Sequence, residues 1–529
     1  MCIRDRNWIT SRESDPATAH ILRMAERAGV RGSYVYRTSP KEMPVLPARV
    51  AVHLAEARGP EEARELHRRL WNLGSSPFLI VVLPDHVRVY SGFDYDPKED
   101  RTGLLQMARL SLDDLRTTLA DFYADEIDSG RIWQKQGKYL SFVNRVDYKL
   151  LRNLETLGQL LLHDKGVPTA IAHALIGKYI YIRYLMDRKI VSDEWLVDLG
   201  IDRSAVLGRD ATLKALRTLV RAVEDRFNGK MFPLPLEGSQ APSNDVVSYV
   251  ASVFAGDDAH SGQLALDFDA YDFSFIPVEL LSSIYEQFLH AEGQGKDVGA
   301  VYTSEPLADY LLCEMNYCMP IKQDTKILDP CCGSGVFLVL AYQRLIELNA
   351  AGRDERLTPD DLKQILLNSV YGVERNLDAC YVTEFSLILT LLSYLDPPEL
   401  HKNQGFRFPE LHDTRIFHHD FFDDKCPIHQ QALHFDWIVG NPPWNELSPA
   451  AERERHAVAW IDRSNAAEHL IARYRADEAF SWRVAELLGS DGHVGLLVHA
   501  TSLTNEQLAG YRRTFFTHHR VKHVTNFSN

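Results

Sequence analysis

The stretch Asp436–Trp444, DWIVGNPPW, constrains this chain more than any other. Asp436 to Val439 reads as the end of a buried strand, and Gly440 ends it. Asn441-Pro442-Pro443-Trp444 then forms a rigid turn, because each proline fixes its own φ and has no N–H to donate. The first proline also pushes Asn441 toward an extended backbone. A polar amide is thus held at the carboxyl end of a strand, the edge where open α/β sheets bind ligands. The amide oxygen and a neighbouring backbone carbonyl are two acceptors side by side, which suits an exocyclic amino group. Trp444 can stack on the flat heterocycle that carries such a group. The same residues also suit a surface turn with Trp444 as core filler, so the context decides.

Upstream, Lys326–Phe337 reads KILDPCCGSGVF: a short apolar strand, an acid at its end, a Gly-rich turn, and a helical pattern over Val336–Leu348. Glycines let the backbone approach a ligand closely, and a helix N-terminus favours an anionic group. No Gly-Lys-Ser/Thr ending follows, which disfavours a nucleoside triphosphate loop. Val370–Glu374, VYGVE, is a second strand ending in an acid, placed to accept hydrogen bonds from ribose hydroxyls. A third strand-like piece, Thr414–His418, leads into Asp420.

This ordered set resembles the γ-class adenine-N6 DNA methyltransferases that use S-adenosylmethionine, in the large type I and type IIG restriction–modification or phage-defence form. DPCCGSG resembles their motif I, Glu374 their motif II acid, and NPPW their motif IV. Gly299–Leu312, GAVYTSEPLADYLL, resembles motif X, and Val278–Leu289 the segment that leads into it. Asp477 and Phe480 match motif V. The resemblance covers residues 276 to 529 and implies a class I methyltransferase fold, a Rossmann-like, mostly parallel α/β sheet.

It also implies site residues. Asn441, Pro442, Pro443 and Trp444 are the catalytic turn. For S-adenosylmethionine, Asp329, Pro330, Gly333 and Gly335 take the methionine end, and Glu374 the ribose. Asp420 lies by the adenine ring of the cofactor, and Tyr302, Thr303 and Pro306 lie along it. No metal is implied, and the expected partner is double-stranded DNA with one base flipped out. Rival readings are a bifunctional type IIG restriction enzyme–methylase, an N-methyltransferase acting on RNA or on protein glutamine, and a non-enzymatic DNA-binding subunit.

The rest of the chain bounds these readings. The 529 residues are 45% hydrophobic and 25% charged, which is ordinary for globular domains. No apolar run reaches a membrane span; Tyr381–Leu395 is interrupted by polar residues and reads as a buried helix. No membrane role is expected, and the seven cysteines, odd in number and without Cys-x-x-Cys, favour reduced thiols in the cytoplasm. A formal charge of −15 excludes a generally basic DNA binder but not a local basic groove.

Three domains are expected: a small α/β domain over 1–125, a helical domain with a polar linker over 131–275, and the catalytic domain over 276–529. Met1–Arg6, MCIRDR, is expected to be extraneous. In the first, Arg49–Ala57 and Pro77–Phe93 read as strands and Pro60–Leu73 as a helix, with Asp85-His86 in a hairpin turn. Pro84-Asp85 and Asp96-Pro97-Lys98 form a literal nuclease-like match, but Pro97 sits where a catalytic strand should continue. Helices are expected over Tyr139–His163, Thr169–Arg188 and Asp210–Phe227, the last presenting Lys214, Arg217 and Arg221 on one face. Pro233–Asp272 reads as a linker and Glu446–Asn465 as a mobile loop. Catalytic-domain strands are expected near 326, 370, 414, 436, 493 and 520. The last, Val521–Phe527, would leave an unpaired edge, so a missing C-terminal target-recognition domain or a separate specificity subunit is expected. Arg512, Arg513, Arg520 and Lys522 make that end locally basic.

Overall fold

The computed structural model describes residues 8–10, 16–36, 47–99, 101–227, 232–256, 268–291, 303–353, 355–397, 400, 405–467 and 469–527. Met1–Arg6 and Gly299–Tyr302, and so the candidate cofactor contact Tyr302, lie outside these residues. The chain gathers into two compact units.

The first unit holds the described residues of Met1–Thr38, Ala48–Phe288 and Leu395–Phe408. Its six-stranded sheet runs in chain order: β1 (Trp8–Ile9), β2 (Val30–Tyr36), β3 (Arg49–Glu56), β4 (Phe78–Val82), β5 (His86–Ser91) and β6 (Leu104–Arg109). Only the β3–β4 pair is parallel, because the helix Pro60–Leu73 carries the chain back between them. Pro60 starts that helix, and Gly74 ends it at φ 60°. Asp85 forms the exposed tip of the β4–β5 hairpin and bonds its neighbour His86 at 2.6 Å. Lys98 donates its backbone N–H to Asp96 at 2.8 Å, in a loop rather than a strand.

Helices follow at Val146–Gln159, Thr169–Asp187 and Leu213–Phe227. The expected start at Tyr139 is replaced by short 3₁₀ turns at Gly137–Tyr139 and Phe142–Asn144. The basic face of Leu213–Phe227 is partly neutralised, since Arg217 and Arg221 share Glu237 at 3.2 and 2.6 Å. The expected linker contains a packed helix, Asn244–Phe254. Ser243 caps it, and Val246, Val247, Val250 and Phe254 are buried; polar flanks had masked an apolar run long enough to fold. Val278–Phe288, assigned above to the catalytic domain, gathers with this first unit.

The second unit holds the described residues of Ser39–Pro47, Leu289–Tyr394 and Pro409–Asn529. Its strands are β7 (Ile327–Asp329), β8 (Val370–Glu374), β9 (Ile416–His418), β10 (Phe435–Gly440) and β11 (Leu488–Leu496). Their order is β11-β10-β7-β8-β9, with every neighbouring pair parallel. This is the expected Rossmann-like sheet, and the order reverses between β7 and β10, the switch point where such sheets open a crevice. β7 is wholly apolar up to its final Asp329, as a strand covered on both faces must be. The helices Val336–Ala350 and Leu377–Ser393 are apolar nearly all round and buried along most of their length. A cluster including Phe421, Phe422, Trp460, Phe480 and Trp482 packs with Leu328 and Ile438.

Two expectations fail here. The Glu446–Asn465 loop contains the helix Arg455–Ala466, anchored by buried Trp460 and Ile461. Val521–Phe527 is not a strand. It is held by side chains instead: Thr525 bonds the Tyr310 hydroxyl at 2.8 Å, Phe527 meets the Tyr310 ring edge-on, and His523 pairs with Glu314 at 2.6 Å.

Gly372 in β8 is a test of this packing. A Cβ there would lie 2.9 Å from Cys332 Sγ, 3.0 Å from Leu338 Cδ1 and 3.1 Å from Ile416 Cδ1. Gly372→Ala should therefore destabilise the unit by about 1–3 kcal/mol through overpacking. A lower denaturant midpoint at unchanged slope is the expected result.

Candidate active site

Because all five strands of the second unit run parallel, their carboxyl ends share one edge. Asp329 ends β7, Glu374 ends β8, Asp420 follows β9, and Asn441 follows β10. The sheet thus brings together acids and an amide that stand far apart in the chain.

The Gly-rich turn is built by backbone geometry. Gly333 and Gly335 adopt φ of 53° and 84°, a region that side chains make costly. Gly335 N–H donates to Cys332 O at 2.7 Å, Cys332 N–H to Val373 O at 3.0 Å, and Thr383 Oγ1 to Gly333 O at 2.6 Å. A Cβ on Gly335 would lie 2.8 Å from Thr383 Cγ2, so only glycine fits where the helix Val336–Ala350 begins. Asp329 is buried and accepts Cys331 N–H at 3.1 Å. Pro330, beside it, is buried too. Burial, aided by the carboxylates of Asp329 and Glu374, pushes the Cys331 and Cys332 thiols well up and keeps them protonated.

Glu374 ties two elements together. One carboxylate oxygen accepts Gly333 N–H at 3.1 Å and the other accepts Asn376 N–H at 2.7 Å. Asn376 in turn caps the helix Leu377–Ser393. Asp420 accepts Phe422 N–H at 2.9 Å, and the neighbouring Phe421 ring stacks on Phe480 at 5.3 Å.

Asn441 is held through its amide nitrogen, which donates to Thr303 Oγ1 at 2.9 Å. This fixes the two ends of the amide in distinct directions. Pro442 is buried, whereas Pro443 and Trp444 are half-buried. The Trp444 indole N–H donates to Leu497 O at 3.1 Å, and its ring meets His499 edge-on at 5.8 Å. Thr303 is buried, while Pro306 stands exposed in the first turn of the helix Glu305–Cys318.

These distances complete a site that the amide, the Gly-rich turn and Glu374 began. Residues 277–528 match the N-6 DNA methylase family. That part of the chain belongs to this family.

Besides the family match, the chain has curated relatives. It is 22% identical over 327 residues to the type II restriction enzyme and methyltransferase RM.Eco57I of Escherichia coli, covering 52% of this chain and 31% of that one. It is 26% identical over 246 residues to the type II methyltransferase M.BstVI of Geobacillus stearothermophilus, covering 43% and 38%. The chain thus spans about a third of the length of these relatives. Among solved structures, the type IIL restriction-modification enzyme MmeI in complex with DNA is 16% identical, with a TM-score of 0.47, covering 70% of this chain and 52% of that one. A modification subunit of a putative type I restriction enzyme from Vibrio vulnificus YJ016 is 17% identical, with a TM-score of 0.37, covering 70% and 74%. The fold itself rests on the strand order and register given above.

Sequence analysis did not single out Arg475 and His499, which join the site through Asp477: Arg475 from two residues away and His499 across 22 positions of chain. It placed Asp477 only as a motif match. Asp477 is fully buried, paired in two-pronged fashion with Arg475, and accepts His499 N–H at 3.2 Å. Its neighbour Glu478 accepts Ala472 N–H and the Ser502 hydroxyl. Of the basic C-terminal residues, Arg512 is used internally, donating to the backbone oxygens of Ser502 and Asn505, whereas Arg513, Arg520 and Lys522 are exposed.

Burial pushes the Glu478 carboxyl up to about 7, with the Asp477 charge adding to the rise and Arg475 opposing it. A carboxyl whose folded pKa is raised costs nothing while protonated. The cost appears as pH climbs above its unfolded value and is complete above the folded one. Glu478→Gln should therefore leave thermal stability unchanged at pH 4 and raise it at pH 8, by on the order of 1–3 kcal/mol. Melting curves across that range check the sign.

Proposed function

We propose that this chain transfers a methyl group from S-adenosylmethionine to the N6 amine of a flipped-out adenine in DNA, within a restriction–modification or phage-defence system. The observation that carries the reading is the Asn441 amide, held by Thr303 at the carboxyl end of β10 with the Trp444 ring beside it. The Gly333–Gly335 turn suits the cofactor, since two glycines at positive φ put backbone without side chains at the N-terminus of the helix Val336–Ala350.

When bound, S-adenosylmethionine supplies an electrophilic methyl group on a sulfonium that is its own leaving group. Asp329, Pro330, Gly333 and Gly335 hold its methionine end, and Glu374 accepts hydrogen bonds from the ribose hydroxyls. Asp420 borders its adenine ring, while Thr303 and Pro306 lie along it. Tyr302 is assigned there by family resemblance alone. The chain's main task is alignment, which can supply much of the barrier reduction in a displacement.

The adenine amine is a weak nucleophile because its lone pair is delocalised into the ring. Asn441 Oδ1 and the Pro442 carbonyl accept its two hydrogens and favour a more tetrahedral nitrogen, stabilising the charge that develops there. Pro443 stiffens the turn. The base must leave the stack to reach these acceptors, at a cost of a few kcal/mol. Stacking on Trp444 offsets that by about 1–3 kcal/mol.

Tritiated S-adenosylmethionine offered with DNA, RNA and protein separately tests the reading; label in DNA, lost on treatment that removes N6-methyladenine, is expected. Asn441→Ala should abolish transfer while calorimetric cofactor binding stays nearly intact. Glu374→Ala should do the reverse, weakening cofactor binding first by roughly 1.5–3 kcal/mol. Unchanged affinity would mean that another acid takes the ribose.

A further inference from the structure

Trp444 is oriented by a segment beyond the sheet. Its indole N–H ends on Leu497 O at 3.1 Å, and its ring faces the edge of His499 at an interplanar angle of 76°. β11 ends at Leu496, so neither residue is held by a strand ladder. Leu497 N–H reaches Gly440 O at 3.0 Å, which ties one side of this turn to β10. The other side is tied by His499 N–H to Asp477 Oδ2 at 3.2 Å. His499 Nδ1 lies 2.7 Å from Thr501 Oγ1 and accepts Thr501 N–H at 3.3 Å, so the imidazole is held in one orientation.

Asp477 is itself fixed. Arg475 Nε meets Oδ1 at 3.2 Å and Nη2 meets Oδ2 at 3.0 Å, a paired geometry stiffer than a single contact. The Arg475 side chain is 12% exposed and that of Asp477 0%, so water does little to loosen the pair. The backbone beside the pair grips the far end of the catalytic turn. Ala476 N–H donates to Asn445 O at 3.1 Å, and Leu447 N–H to Tyr474 O at 2.9 Å. Trp444 thus lies between two tethers that meet at one ion pair. An acid in the first turn of the helix Ala476–Arg483 would be favourable for its helix alone. That explains an acid at 477, but neither its guanidinium partner nor the His499 N–H it accepts.

We propose that the buried Arg475–Asp477 ion pair is a positioning device that sets the face of Trp444 for the flipped base, acting through the turn at His499. This rests on the methyl-transfer reading above. Arg475, Asp477 and His499 are positioning residues; none of them need touch the base. Small displacements of such a platform matter, because a misplacement of about 1 Å can cost roughly a hundredfold in rate.

The test is a double-mutant cycle. Native genomic DNA lacking adenine methylation and tritiated S-adenosylmethionine are given to the full chain. Asp477→Asn should lower kcat roughly tenfold, within the range of coupling between touching groups, with KM for S-adenosylmethionine unchanged. In a Trp444→Ala background the same substitution should have no further effect. Losses that multiply, or a raised KM for the cofactor, would overturn the proposal. Hydrogen exchange reads the positioning without catalysis. In Asp477→Asn the amides of Leu497, His499 and Leu447 should lose protection, while those of Leu328 and Val373 keep theirs. Unchanged protection at Leu497 and His499 would also overturn it. Should Asp477→Asn not fold, Arg475→Gln with Asp477→Asn and Glu478→Gln removes the buried guanidinium together with both carboxyls it meets and is read in the same way. Calorimetry separates the two claims: a wild-type chain that neither binds S-adenosylmethionine nor methylates DNA sinks the methyl-transfer reading, while the exchange pattern alone decides the positioning contact.

Discussion

The site depends on how closely β10 passes β7. Gly440 lies so near the buried carboxylate of Asp329 that a Cβ would sit 2.8 Å from Oδ1. That approach sets the acid at the end of one strand against the start of the Asn-Pro-Pro-Trp turn at the end of the next. Strand pairing puts Trp437 opposite Ile327 and Ile438 opposite Leu328, so the two turns leave the sheet side by side. A one-residue slip would turn every side chain to the opposite face and separate them.

Once the two turns are adjacent, the remaining groups are held mostly by hydrogen bonds between loops. Glu374 bridges the Gly-rich turn and the next helix. Thr303 holds Asn441, and the Arg475–Asp477 pair holds the segment that meets Trp444. Desolvation is visible in the same place, since Glu478 is raised to about 7 while both of its oxygens are satisfied. Removing one member of a buried charged network costs more than the pair contributes in net terms, because its partner is left uncompensated. Such networks therefore favour one arrangement of the loops over many.

Elements with a local signature were legible from sequence. The helix Pro60–Leu73 announces itself by a proline at its start and a glycine just past its end. The hairpin around Asp85, the strand–turn–helix at Asp329–Val336 and the β10 turn were read for the same kind of reason. Asn244–Phe254 and Arg455–Ala466 were misread as loops because polar flanking residues outweighed apolar positions whose burial depends on distant partners. Val521–Phe527 has a strand's composition but takes its contacts from Tyr310 and Glu314 rather than from a ladder. β-propensity reports a fit to neighbours, and those neighbours are not local.

The amino-acid sequence by itself determined the chemistry of the turns. Two prolines stiffen the backbone after Asn441, glycines permit positive φ at 333 and 335, and an acid ends each of β7 and β8. These properties belong to residues and their immediate neighbours, so they survive without a structure. Only the tertiary structure decided which groups hold those turns in place. Thr303 meets Asn441 across 138 positions of chain, and Leu497 meets Trp444 across 53. The physical reason is that a hydrogen bond needs donor and acceptor within about 3 Å and in line, a condition that spacing along the chain cannot supply and strand order can.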